Sequence, residues 1–473
     1  MPDSAVTGDF RASFRAESFI PGEPGYDQAR AVWNGDIDRR PELIVRPGDA
    51  TQTADAVNFA REAGLEVTVR GGGHSFAGHA VCDGGMMIDL SAMKQVQVDR
   101  PARRARCGGG TTWAELDAAS QEHGLAVPGG FISHTGVAGL TLGGGIGWLT
   151  PRAGLSCDNL VGAEVVSAEG RIVVASDESN PELFWALRGG GGNFGIVTAF
   201  EFALHEVAPT VHLGLFFWDA DHAADGLRFS RDLIPHLPEA AGVLVAGLSA
   251  PSAPFVPERY QGLPGIALVI IGWDGPEEQA RTLEPVLASA PETQWQLITP
   301  MPYVHLQRMF DDSAQWGILA YEKALYLDEL TDEAIDVFAY YLPRKASPLS
   351  FVPVFSMRGA FSRVGDEDTA FGGRRDAKWV FNISAACPTP DLLEHDRSWV
   401  REFWDALRPH ASGPGTYLNF LSETDEDRVR SSYGDRKYER LSRIKAEWDP
   451  ENLFRHNANI RPTKPVGAPR TDL

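Results

Sequence analysis

Cysteine is scarce. Four residues, Cys82, Cys107, Cys157 and Cys387, serve a chain of 473. Four thiols do not make a disulfide framework for a chain of this size, and their separations match no zinc pattern. That excludes a cysteine-stapled scaffold or a zinc module and leaves the reducing cytoplasm as the expected compartment. Basic residues are also short, 43 Lys and Arg against 64 Asp and Glu, for a formal net charge of −21. A surface this acidic repels nucleic acid and anionic lipid, so neither is expected as a partner. No apolar run reaches the roughly 20 residues of a membrane span. Met1-Pro2-Asp3-Ser4-Ala5 starts acidic and lacks the apolar core of a signal peptide. Internal repeats and low-complexity linkers are missing too.

What is present is ordinary globular composition, 43% hydrophobic and 23% charged, and long enough for two or three domains. Residues 42–205 alternate short helices, strands and glycine loops. The spacing predicts a helix over 53–63 with Gly64 as its stop, a strand over 65–69 and another over 86–90. Thr112 with Glu115 forms a capping box for a helix running to His123. A hairpin is expected across Ala168-Glu169-Gly170, then a short helix at 181–187 and a strand at 196–203. After about His205 the character changes. Apolar strands are expected at 211–218, 243–248, 266–273, 318–327, 349–357 and 379–386, with helices near 276–288, 331–341 and 392–407. Half-polar alternation with intervening helices suggests a broad, mostly antiparallel sheet covered on one face. From Asp427 to Pro462 the chain returns to a charged helix, a turn and a loop.

Two stretches carry chemistry. Arg70-Gly71-Gly72-Gly73-His74-Ser75 places a histidine at the end of a glycine loop, and Gly154-Leu155-Ser156-Cys157-Asp158-Asn159-Leu160 places a cysteine after a second glycine run, Gly143 to Gly147. Three glycines after a strand expose successive N–H groups to an anion, and Arg70 adds a permanent charge. Taken alone, the loop is either such a cradle or a hairpin with an incidental histidine; the second run favours the cradle. Imidazole and thiolate suit attack on an electrophilic ring, so His74 and Cys157 together suggest a large, diphosphate-bearing redox cofactor held by two covalent bonds. Cys157 also reads as a small buried filler, as do Cys82 and Cys107. His74 and His79 have no third ligand pattern beside them, so no metal is expected and His79 reads as a hydrogen-bonding loop residue. Gly190-Gly191-Gly192-Asn193-Phe194-Gly195 fits G-x-G-x-x-G, but a helix precedes it and a strand follows. That is the reverse of the dinucleotide-binding order, which leaves a tight glycine turn.

With these motifs in order, the chain resembles the berberine bridge enzyme-like branch of the FAD-linked oxidases with the vanillyl-alcohol oxidase (PCMH) type of FAD domain. The matching stretches are 70–74, 136–148, 154–160, 192–198, 417–420 and 449–460. The resemblance implies an α+β fold: a two-part FAD-binding domain of the vanillyl-alcohol oxidase type (1–205 and 427–473) with an inserted antiparallel-sheet substrate domain (206–426). It implies FAD bound covalently through His74 and Cys157. Further flavin contacts are implied from Arg70, Gly71, Gly72, Gly73, Ser75, Gly78 and His79, from His134, Thr135, Gly136, Gly139, Gly143, Gly144 and Gly147, and from Val197 and Asn459. Tyr417 is implied as the base and Asn419 as a hydrogen-bond partner of substrate or flavin; Tyr417 reads otherwise as a structural tyrosine. Leu160 is expected beside the oxygen approach. The loop Phe371 to Asp376 departs from the family pattern on the substrate side.

The implied reaction takes a hydride from a carbon bearing oxygen in a secondary alcohol, sugar or hydroxylated natural product, and passes electrons to O2, giving hydrogen peroxide. A cyclic-amine oxidase, a dehydrogenase with another acceptor and a flavin-binding protein without turnover remain as alternatives. The implied partners are a small-molecule substrate, bulky if the cleft is open, and O2. The assembly is a monomer or homodimer.

Overall fold

The computed structural model describes residues 4–463; the sequence-stated termini at Met1 to Asp3 and at 464–473 lie outside the described residues. A four-stranded mixed sheet opens the chain, built from β1 (Glu17–Phe19), β2 (Leu43–Arg46), β3 (Val67–Arg70) and β4 (Met86–Asp89) in the order β1-β2-β4-β3. β2 and β3 both pair parallel to β4. The helix Ala50–Glu62 covers it, starting three residues earlier than its apolar spacing predicts. Asp49 is the reason: its carboxylate accepts the Gln52 N–H at 2.8 Å and caps the first turn. Gly64, at φ +64, follows the helix end.

The next strands are β5 (Val96–Asp99), β6 (Arg104–Gly108), β7 (Leu125–Ala126), β8 (Leu160–Val166), β9 (Ile172–Ala175), β10 (Ile196–Ala203) and β11 (His205–Glu206). Five of them make an antiparallel sheet, β5-β6-β10-β8-β9. The expected capping box is present, with the Thr112 N–H donated to Glu115 at 2.8 Å at the head of the helix Trp113–Gln121. The β8–β9 hairpin turns as expected, through Gly170 at φ +72.

The third sheet is the broad antiparallel one. It comprises β12 (Thr210–Asp219), β13 (Gly242–Ser249), β14 (Pro264–Gly272), β15 (Trp295–Pro302), β16 (Leu319–Leu327), β17 (Val352–Ser356) and β18 (Trp379–Cys387), ordered β15-β12-β14-β13-β17-β18-β16. Strand β15 and the helix Ala223–Leu233 escaped the sequence reading, as β1, β2, β5 and β6 did. Strand β15 carries Pro300 and Pro302, which a sheet tolerates at an edge, where this strand lies. The helix Ala223–Leu233 carries Gly226, which weakens its pattern; a Cβ there would come within 2.8 Å of the Trp218 ring.

Period-two alternation divides this sheet. Val243, Val245, Phe381, Ile383 and Ala385 face the helices Ala223–Leu233, Asp332–Tyr341 and Pro390–Leu407 in one apolar cluster. Their neighbours Leu244, Ala246, Asn382, Ser384 and Ala386 face the glycine loops across a cavity. The C-terminal helix Glu426–Trp448, broken at Gly434 (φ 71, ψ 158), packs Leu441, Ile444 and Trp448 onto Leu183, Phe184 and Leu187. Its anchor is Lys445, fully buried. The ammonium donates to Asp449 at 2.6 Å, the Asn193 carbonyl at 2.7 Å and the Phe454 carbonyl at 3.0 Å, and Asp449 in turn accepts the Leu453 and Phe454 N–H groups. Among the described residues no helix is long and apolar enough to cross a membrane.

Asp117, on the helix Trp113–Gln121, meets Gln307, whose Nε2 donates to Asp117 Oδ2 at 2.9 Å. Burial pushes this carboxyl up from 3.8 to about 7. The unfolded chain therefore loses the proton first as pH rises, and folding stability from this group is present at pH 4 and eroded by pH 8. Asp117→Asn, which stays neutral, is expected to narrow the stability difference between pH 4 and pH 8 by about 1–4 kcal/mol relative to wild type, read from urea unfolding at both pH values. Parallel pH profiles for the two proteins would count against it.

Candidate functional site

A cavity of about 390 Å³ separates the glycine loops from the inner face of the large sheet. One wall is nearly free of side chains. Gly71, Gly72 and Gly73 leave β3, and Gly136, Gly139 and Gly143 lie along the helix Val137–Leu142 and its ends. The loops touch backbone to backbone: a Cβ on Gly72 would lie 2.2 Å from the Gly136 nitrogen, and one on Gly136 would lie 2.4 Å from the Gly72 nitrogen. At Gly139 and Gly192 an added Cβ would meet nothing within 4 Å, so both face open space. A wall of bare amides suits a flat ring carrying a diphosphate.

His74 ends the first loop inside this cavity. Its Nε2 lies 2.8 Å from His134 Nδ1, and Thr135 Oγ1 stands 3.5 Å from its Nδ1. Trp33 stacks on the ring at 5.1 Å. Burial, with the neighbouring His134, holds the imidazole well below its ordinary 6.5 and therefore neutral. His134 is lowered by burial too, against the opposing charge of Asp311. Each neutral ring carries one N–H, and one of the two donates across this contact, so the donor ring keeps a nitrogen with a free lone pair while the acceptor's lone pair is engaged.

The facing wall holds Tyr417, Asn419 and the sheet residues Leu244, Glu322, Phe355, Asn382 and Ser384. The Tyr417 hydroxyl accepts the Gly145 N–H at 2.7 Å and the Asn419 amide at 2.9 Å. Both lone pairs are engaged, and its own proton is free to donate. Burial pushes the phenol above its ordinary 10 despite those donors. Glu322 is pushed well above the usual carboxylate range, again by burial. At His79, His456 and Asn457 the cavity meets a polar cleft of about 600 Å³.

A FAD binding domain family matches residues 41–176, and a second family described as berberine and berberine like matches residues 416–461. A FAD-linked oxidoreductase of Dictyostelium discoideum is 30% identical over 97% of this chain and 97% of its own. The (R)-6-hydroxynicotine oxidase of Paenarthrobacter nicotinovorans is 32% identical over 95% of this chain and 97% of its own. The chain belongs to the berberine bridge enzyme-like FAD-linked oxidoreductases. The crystal structure of 6-hydroxy-D-nicotine oxidase from Arthrobacter nicotinovorans superposes with a TM-score of 0.83 at 28% identity, covering 95% of this chain and 98% of that one. A glucooligosaccharide oxidase from Acremonium strictum, described with a 6-S-cysteinyl, 8α-N1-histidyl FAD, shares the fold at a TM-score of 0.84 and 23% identity, over 97% of this chain and 100% of that one.

In this flavoprotein the expected site residues divide. His74, Gly71, Gly72, Gly73, Ser75, His79, Thr135, Gly136, Gly139, Gly143, Val197, Tyr417 and Asn419 line the cavity. His134 stands directly behind His74. Arg70 does not offer its charge to an anion: its guanidinium is taken by Asp89 at 3.0 Å and by the Ala29 and Ala31 carbonyls. Gly78, Gly144 and Gly147 are needed for backbone packing instead. A Cβ on Gly147 would lie 1.5 Å from the Gly129 carbonyl, one on Gly78 would strike Ile37, and one on Gly144 would strike Phe371. Asn459 lines the polar cleft, not the cavity.

Cys157 lies at the second glycine run, with its N–H donated to the Gly144 carbonyl at 2.8 Å and no exposed surface. Its sulfur faces Asp158 at 3.6 Å, and burial raises the thiol well above its ordinary 9. It packs in one cluster with Ile146 and Tyr417, both of which line the cavity. Leu160 starts β8 inside the apolar cluster of the five-stranded sheet. The G-x-G-x-x-G stretch sits between helix and strand as expected, yet Gly191, Gly192 and Gly195 also line the cavity. Sequence reasoning missed Trp33, Glu322, Asn382 and Ser384. Glu322 did carry a signal, as a charged residue inside an otherwise apolar strand.

Gly72→Ala is expected to abolish or severely reduce FAD loading, because its methyl cannot fit without separating the two loops. The flavin absorbance of the purified variant reads this out, and normal loading would show that the loops adapt.

Proposed function

We propose that this oxidoreductase is an oxidase that takes a hydride from a carbon bearing nitrogen or oxygen in a compact, ring-bearing substrate and passes the electrons to O2. The observation that carries the reading is the asymmetry of the cavity: bare glycine amides on one side, and aromatic and apolar side chains with a few buried polar groups on the other. Phe131, Phe310, Phe351, Phe355 and Phe420 offer faces for a ring. A hydroxynicotine oxidase and a glucooligosaccharide oxidase both stand among the relatives. The apolar lining favours a substrate closer in character to the former than to a sugar chain, whose many hydroxyls would go unpaired.

Bound FAD supplies the two-electron acceptor. His74, neutral and facing the cavity, is proposed as one tether and Cys157 as the second, with His134 fixing which His74 nitrogen carries the proton. Tyr417 is proposed as a donor to the substrate heteroatom instead of a resting base, since its lone pairs are occupied and its proton is not. Asn419 orients it: the amide donates to both the Tyr417 hydroxyl and the Leu140 carbonyl. Residues 1–205 and 427–473 are proposed as the FAD domain and 206–426 as the substrate domain. A cytoplasmic monomer or homodimer remains the proposed setting, with no nucleic-acid or membrane partner.

Two measurements test this. Acid-denatured wild type is expected to stay yellow with one FAD mass added, and Cys157→Ala to stay yellow through the His74 bond; free FAD released by wild type would remove the covalent reading, and a His74→Ala protein that loads FAD but releases it on denaturation would remove the cysteinyl bond. Anaerobic mixing with a panel of amines and alcohols should bleach the flavin, and oxygenated buffer should restore it rapidly. Tyr417→Phe should slow the bleaching by roughly 10²–10⁴-fold with flavin loading intact. Slow reoxidation would make the enzyme a dehydrogenase with another acceptor, and no bleaching by any panel member would remove the oxidase reading.

A further inference from the structure

The sheet wall of the cavity carries a polar cluster for which the flavin and Tyr417 give no use. Glu322 on β16, with Asn382 and Ser384 on β18, stands among apolar neighbours at 1%, 4% and 1% exposure. β16 and β18 pair antiparallel with Glu322 opposite Ser384, which puts all three side chains on the same face. Asn382 Nδ2 donates to Glu322 Oε2 at 2.8 Å. That leaves Glu322 Oε1, Asn382 Oδ1 and Ser384 Oγ without a hydrogen-bond partner among the described residues. Buried polar atoms are nearly always paired, and an unpaired set on a cavity wall is a place where a ligand completes the bonding.

The bonding left open has a sign. Asn382 Oδ1 is an acceptor, and Ser384 Oγ, a hydroxyl, can act either way. Glu322 Oε1 carries the carboxyl proton, because Oε2 accepts from Asn382; a basic ligand that takes this proton turns Oε1 into a second acceptor. An amine can take the proton and then donate N–H to both acceptors, whereas an alcohol is too weak a base to take it and has one O–H to give. An aliphatic or aromatic body fits the rest of the wall, where Leu244, Phe351 and Phe355 stand.

We propose that Glu322 and Asn382 are the specificity-determining residues of this site and that they select an amine, with its N–H groups donated to Glu322 Oε1 and Asn382 Oδ1. The inference rests on the oxidase reading only in taking this cavity as the substrate's. Burial keeps the carboxyl protonated in the free protein. A neutral amine arriving there takes that proton onto its nitrogen, so the pair becomes ammonium and carboxylate with no net change in protons. Charge-assisted hydrogen bonds of this kind are the stronger ones. Glu322 is also held from its backbone side: Ser422 Oγ accepts the Glu322 N–H at 2.8 Å.

The test is calorimetric titration of the FAD-loaded protein with benzylamine and with benzyl alcohol, two probes of one size that differ in the donor group. Wild type is expected to bind benzylamine at least about tenfold more tightly. Glu322→Gln, which keeps the shape and the Asn382 contact, should lose most of that preference, read as the ratio of the two affinities, while its FAD content stays unchanged. Asn382→Ala should weaken benzylamine selectively as well, and decides the matter if Glu322→Gln loads FAD poorly. Equal binding of both probes by wild type, or an undiminished amine preference in both variants, would overturn the proposal. Flavin bleaching is scored separately. Bleaching by alcohols without amine preference keeps the oxidase reading and sinks this one; amine preference without bleaching by any compound does the reverse.

Discussion

The close approach of two glycine loops is the constraint on which the rest of the structure depends. Gly72 and Gly136 meet with their backbones in contact, at a separation no side chain permits. That contact closes one wall of the cavity and places His74 at its end with His134 against it. It also explains why so few side chains enter the flavin side of the site. Backbone N–H groups carry the recognition there, and backbone position is fixed by what surrounds it.

Buried charge secures the loops from behind. Asp89, fully buried, gathers Arg46 and Arg70 at the end of the mixed sheet. Asp158 and Arg375 form a doubly bonded pair at 2.6 and 2.8 Å and tie the cysteine-bearing segment to the loop that packs Phe371 against Tyr417. Lys445 with Asp449 holds the C-terminal return against Asn193. Breaking such a pair strands a charge in low dielectric, which costs about 3–5 kcal/mol. Asp89 fixes the strand ends from which the first glycine loop leaves, and the other two pairs hold irregular backbone in place, where no ladder of hydrogen bonds could.

The large sheet does two jobs with one pattern. Alternate positions build the helix-covered core and the cavity wall: the core takes the odd positions of β13, β16 and β18 and the even positions Val352 and Val354 of β17, and the wall takes their neighbours. The position that holds Glu322 is therefore one at which a polar side chain disturbs the wall and leaves the core intact.

The sequence by itself determined most of the helix and strand order, the antiparallel character of the large sheet, and the glycine loops with His74 at the end of one. These follow from local rules: apolar period, capping pairs and glycines that only a tight backbone needs. Tyr417 and Asn419 were reached through the family resemblance. Tertiary structure decided the rest, because it depends on which atoms face each other across the chain. Arg70 looked available until Asp89, nineteen residues on, claimed it. Cys157 followed a glycine run, as a ligand would, and only the fold shows that it packs beside Tyr417 and Ile146 with Asp158 at its sulfur. Tyr417 was legible as a site residue, but its protonation was not, since burial and the Gly145 and Asn419 donors set it. Glu322, Asn382 and Ser384 are far apart in sequence terms or hidden in apolar strands, and only sheet register brings them to one face. Spacing in a sequence records which way a side chain points along its own element; what it meets there is settled by packing.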